Sequence, residues 1–104
     1  MNITRSDVDF IRHVLLPWSG VRAVYIAYSD SAKRWPDIWL DMYKGIPRIT
    51  ITREWNSHNK HLRRSQLVHE GLHILGMKHD ESIGYSSFPD RDSYSKKVYR
   101  SLIK

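Results

Sequence analysis

The chain contains no cysteine. Disulfide staples, thiolate metal ligands and a cysteine nucleophile are therefore excluded, and any metal must be held by His, Asp or Glu. No apolar run approaches the ~18 residues of a membrane span. Asp7, Asp9 and Arg12 interrupt the opening stretch, where a secretory signal needs an unbroken apolar segment. These absences predict a cytoplasmic or otherwise unexported protein with no transmembrane segment. No repeat, low-complexity tract or linker rich in Pro, Gly and Ser divides the chain, so residues 1–104 are expected to form a single domain. Acidic residues are scarce: 11 Asp and Glu stand against 17 Lys and Arg, a formal charge of +6. That balance suits loose association with polyanions, nucleic acid included. It equally suits plain solubility, because the basic residues are spread along the chain.

A hydrophobic content of 40% with 27% charged residues is that of a globular chain able to bury one modest core. Thr4 and Asp7 form a capping-box pattern ahead of Val8, Ile11, Val14 and Leu15 at helical spacing, a helix that Pro17 and Gly20 should end. Val21 to Tyr28 alternates as a strand, followed by a loop. Ile38 to Tyr43 and Arg48 to Arg53 read as two more strands joined through KGIP as a hairpin. In RITITR the Ile residues face one side and the Thr residues the other, the pattern of a half-buried antiparallel or edge strand. A polar loop, NSHNKH, leads into a helix from about Leu62 to Leu75, which Gly76 should stop. A closing helix, SYSKKVYRSLIK, offers Tyr94, Val98 and Leu102 for burial.

The chemistry concentrates in HEGLHILGMKHD, His69 to Asp80. His69 and His73, four residues apart on a helix, project from one face, as two ligands of one zinc ion require. Glu70 lies ~100° round the helix from His69, near enough to reach a water at such a site without being a ligand. On a continued helix His79 would stand ~15 Å along the axis from His69 and share nothing with it. Gly76 removes that obstacle, because glycine takes the left-handed conformation that ends a helix and turns the chain. Three His ligands leave the fourth position of tetrahedral Zn2+ open, the mark of a catalytic site. Glu70 would then be the general base. Against this stands a plainer alternative, a histidine-rich amphipathic helix. His13, His58 and His61 have no comparable partners in the sequence and read as surface residues.

HEGLHILGMKHD resembles the zinc-binding motif of the metzincin clan of metalloproteases, and GMKHD is especially similar to the adamalysin branch. The likeness covers about twelve residues of the chain. It implies a minimal zincin-like α+β domain: a small mixed or antiparallel sheet with an N-terminal helix, a central helix bearing the motif and a C-terminal helix. It further implies a zinc metalloendopeptidase acting on protein or peptide, with His69, His73 and His79 as ligands and Glu70 as base. Clan members bind extended peptide along an antiparallel edge strand, and Ile49, Thr50 and Ile51 of RITITR are the residues that would supply it here. Tyr85 corresponds to a tyrosine that some members use to stabilise an oxyanion; a packed or exposed Tyr is the alternative. Asp80 follows the third His as in the adamalysins, with a second-shell or a solvated role open. The chain departs from the clan in lacking a methionine after His79: Gly84, in SIGY, stands where the Met-turn places it.

Other readings share parts of this pattern. A bacterial zinc endoribonuclease family has the same H-x-x-x-H-x-x-G-x-x-H spacing, and a basic chain suits RNA, but its members commonly lack the Glu after the first His. A protease working on nucleic acid, like the SprT-like enzymes, would use the cations and aromatics of KRW (33–35), REW (53–55) and HLRR (61–64). A non-catalytic zincin-like module would keep the ligands and have no need of Glu70.

Overall fold

The computed structural model describes residues 3–30, 37–76 and 94–104. They form a small α+β arrangement of one three-stranded mixed sheet and several helices. Among the described residues no helix is long and apolar enough to cross a membrane.

The N-terminal helical run comprises α1 (Arg5–Phe10), a π-helical stretch (Ile11–Leu15) and α2 (Leu16–Ser19). Thr4 caps it as expected: its hydroxyl accepts from the Asp7 backbone N–H at 3.2 Å and donates to the Asp7 carboxylate at 3.1 Å. Pro17 does not end the run. It sits in the first turn of α2, where the missing N–H is tolerated, and the termination falls to Gly20 at φ 78°.

Strand β1 (Tyr25–Ser29) starts later than the alternation suggested, whereas β2 (Ile38–Tyr43) matches it at both ends. β2 and β3 (Ile46–Thr52) form the expected hairpin, turning through Lys44 and Gly45, both at positive φ. The sheet order is β1-β3-β2, with β1 parallel and β2 antiparallel to β3. β3 is therefore the central strand. Its Ile49, Thr50 and Ile51 are buried and paired on both sides, so they are not the edge strand that RITITR suggested. The alternation of Ile and Thr misled because the Thr face is covered as well. Thr52, fully buried, donates its hydroxyl to the Asp37 carbonyl at 2.6 Å and accepts from the Trp55 N–H at 3.3 Å.

That second bond caps α3 (Arg53–Ser57), a short helix absent from the sequence reading, which ran the strand on through Arg53. Asn59 then caps α4 (Lys60–Ile74) by accepting from the Leu62 N–H at 2.9 Å, so this helix begins inside the segment read as loop. α5 (Tyr94–Leu102) buries Ser95 and Tyr99, with Val98 and Leu102 partly buried. Tyr94 is exposed, contrary to expectation, because the buried stripe follows Ser95 and Tyr99 one position on.

The core lies between sheet and helices. Ile38, Ile49 and Ile51 meet Phe10, Ile11 and Leu15 from the N-terminal run, and Leu67 and Val68 from α4, with Trp55 and Tyr99 completing it. Burial of apolar side chains of this size is worth ~1.5–3 kcal/mol each, which is what holds α4 against the sheet.

Candidate functional site

α4 carries the candidate chemistry, and three contacts fix its position. The first is ionic. Asp7 is fully buried and accepts from Arg63 Nε at 2.8 Å and Arg64 Nε at 3.2 Å, tying α1 to the first half of α4. The second is steric. A Cβ at Gly71 would stand 2.8 Å from the Trp18 ring and 2.9 Å from Leu15, so only glycine admits the N-terminal run this close to the helix. The third is the packing of α4 on β2 and on α5. The sequence marked Asp7 only as part of a capping box, and it did not mark Gly71. A helical Glu-Gly-Leu normally reads as a weak spot, and the capping role of Asp7 concealed its second task.

On the helix so placed, the His69 and His73 rings come together edge to face, with centroids 4.9 Å apart. His69 is buried and His73 half-buried. Glu70, next to them, is also buried, and loss of solvent pushes its carboxyl pKa up from 4.5 to about 8. A nearby cation would bring it down again, so the proton on Glu70 is sensitive to any ion seated at the imidazoles. α4 stops where the sequence indicated: Leu75 is its C-cap, the Gly76 N–H donates to the His73 carbonyl at 2.9 Å, and Gly76 has φ 99°. The helix thus ends in a left-handed glycine one turn beyond the imidazole pair.

Two of the three ligands that the sequence suggested, His69 and His73, lie on one described helical turn. Imidazole is a preferred zinc ligand, and two rings in contact from one helical turn can converge on one ion. Among the described residues there is no group of three His, Cys, Asp or Glu able to hold a metal. His79, Asp80 and Tyr85, with the SIGY segment, lie outside the described residues. The structure thus sets His69, Glu70 and His73 on one turn of α4, and it places Ile49, Thr50 and Ile51 in the central strand, paired on both sides.

His58 and His61 have structural partners that the sequence did not reveal. His58 Nε2 lies 2.6 Å from Asp37 Oδ2, and His61 Nδ1 lies 2.8 Å from the Tyr99 hydroxyl. His13 and His61 are exposed, as expected, and His58 is half-buried. The cation and aromatic clusters also resolve differently from the nucleic-acid reading. Trp55 of REW is fully buried, its Nε1 donating to the Arg63 carbonyl at 3.2 Å, and the two arginines of HLRR grip Asp7. KRW lies outside the described residues.

No family model, curated protein or solved structure matches this chain.

Proposed function

We propose that the chain is a zinc-dependent peptidase built on a minimal zincin-like core, with His69, His73 and His79 binding the ion and Glu70 moving the proton. The observation that carries this reading is a pair of touching imidazoles on one helical turn, flanked by a buried carboxyl, one turn ahead of a left-handed glycine. Burying Glu70 costs stability, and carboxyls perturbed by desolvation are enriched at functional sites, which supports this reading over an ordinary amphipathic helix.

When bound, zinc would polarise the scissile carbonyl and make water acidic enough to be deprotonated near neutral pH. The protein's share is the proton. The Glu70 carboxylate accepts it as water attacks the carbonyl carbon, and returns it to the amine nitrogen as the C–N bond breaks. No bond forms between enzyme and substrate, and the carboxylate is regenerated.

Peptide binding moves from β3 to β2. Of the strands described, β2 is the one that runs antiparallel to its neighbour, has a partner on one side only and packs against α4. An extended substrate adding to that edge would be held by backbone hydrogen bonds alongside the helix bearing His69 and His73.

The test compares native protein with Glu70→Gln and His79→Ala for zinc content and for cleavage of peptide and RNA. The expected result is one zinc per native chain, zinc retained with peptidase activity lost in Glu70→Gln, and zinc largely lost in His79→Ala. Peptidase activity at the native rate in Glu70→Gln ends the reading. RNA cleavage that depends on His79 replaces it with the nuclease, and zinc retention without any hydrolysis replaces it with the non-catalytic module.

A further inference from the structure

The hairpin end of the sheet gathers aromatic rings and cations that lie far apart in the chain. Residues paired across a sheet share a face, so Tyr25, Arg48 and Asp41 stand in one row on the face turned from the core, while Ile26, Ile49 and Leu40 take the core face. Tyr43, two positions beyond Asp41 on β2, joins that row's face. At Thr50 and Thr52 the outer face is covered, but toward the hairpin it opens: Tyr25 and Tyr43 are 40% and 39% exposed. Their rings meet edge to face, with centroids 5.2 Å apart.

The net charge here is positive. Asp41, the one acid in the row, is neutralised by Arg48, whose Nε and terminal guanidinium nitrogen donate to its two oxygens at 2.9 and 2.6 Å. The Arg48 guanidinium also lies 4.8 Å from the Tyr43 ring centroid, and the Lys44 ammonium lies 5.2 Å from it. Lys44 is exposed and has no ion-pair partner among the described residues, and the same holds for Arg22. Arg22 precedes Tyr25 by three residues, a reach of at most about 11 Å. The turn supplies an independent observation. A two-residue hairpin loop with both residues at positive φ ordinarily has Asn, Asp or Gly first, because a side chain with a Cβ is strained there. A lysine at φ 54° takes that position, ahead of Gly45. Backbone preference does not account for it.

We propose that this face binds single-stranded nucleic acid, with bases stacked on Tyr25 and Tyr43 and phosphates held by Lys44 and Arg22. Exposed rings beside cations without acidic partners suit a single strand, since every base offers a face to stack and every linkage a negative charge. A second copy of the chain is disfavoured, because the same cations would meet across the contact. An acidic peptide would satisfy the charge but bring no flat rings to the two tyrosines.

The site stands apart from the peptidase reading, and its test needs neither metal nor turnover. A fluorescein-labelled oligothymidylate of about twelve nucleotides is titrated by anisotropy into native protein over a series of salt concentrations. Tyr25→Leu/Tyr43→Leu is expected to weaken binding at least about tenfold. Arg22→Gln/Lys44→Asn should reduce the slope of log affinity against log salt by about 1.4, the share of two phosphates at about 0.7 each. Lys44→Asn alone should bind more weakly yet unfold at a higher temperature, a combination that loss of folding cannot produce. Circular dichroism confirms that the variants fold, and the charge variants carry the test where the leucine pair does not. No measurable binding by native protein, affinity unchanged in both double variants, or equal affinity for an abasic strand of the same length overturns the proposal. Displacement of the oligothymidylate by equimolar polyglutamate overturns it in favour of an acidic peptide.

Discussion

Glu70 and Asp7 are both buried carboxyl side chains, and they are stabilised in opposite ways. Asp7 is held by two guanidinium groups that are themselves only 15% and 14% exposed. Asp7→Ala leaves both cations uncompensated in a nearly dry site, and a loss of about 3–5 kcal/mol is expected, read from urea unfolding. Glu70 is instead shifted upward by desolvation alone. With 4.5 as the unfolded value and about 8 as the folded one, both states carry the proton below the lower value. Between the two values the unfolded chain releases a proton that the folded chain keeps, so stability of the metal-free protein falls as pH rises, by up to about 1.4 kcal/mol per pH unit. Above about 8 both states are ionised and the decline levels off. Urea midpoints of metal-free protein from pH 5 to 9 should follow that profile, and Glu70→Gln should flatten it. An unchanged slope in the variant would assign the dependence to other groups.

Among the elements, what the sequence made legible was local. β2, the two long C-terminal helices and the stop at Gly76 follow from periodicity and capping chemistry within a few residues of each position. What it hid was pairing and approach. That β3 is central depends on β1 lying parallel to it, a partnership set by residues more than twenty positions upstream and invisible in RITITR itself. α3 is five residues long and shows no period, and only the cap supplied by Thr52 and the burial of Trp55 account for it. At the site, the spacing of His69, Glu70 and His73 was readable because four residues are one helical turn. Gly71, between them, was not, because its reason lies on α2 and the π-helical stretch. Gly71→Ala would gain about 1 kcal/mol in helix propensity and lose about 1–3 kcal/mol to overpacking against Trp18 and Leu15. The expected outcome is a net loss of stability with zinc content unchanged, since His69 and His73 travel with their helix; calorimetry and metal analysis on the same sample check it. Gly76→Ala acts at the other end. A φ of 99° is strained for any residue with a Cβ, so a loss of about 1–2 kcal/mol is expected together with weaker zinc binding, measured by competition with a chelator.

For the whole molecule, the proposed zinc site would link metal binding to folding. An ion that binds only the folded chain adds about 2.7 kcal/mol at a concentration a hundredfold above its Kd, and raises the unfolding temperature accordingly. Native protein should show that rise with zinc and none with magnesium, which prefers oxygen ligands. His79→Ala should lose most of it. A rise of equal size in that variant would show that His79 is not a ligand.

The bond between Asp7 and the paired arginines also sets a schedule. Its partners are 56 and 57 residues apart, so a chain emerging from the ribosome carries a charged aspartate in water until more than half of the protein has been made. The first helical run can form early from its own cap, but Asp7 has no arginine to close on until α4 arrives. A polypeptide released before residue 63 has neither arginine with which to close that bond.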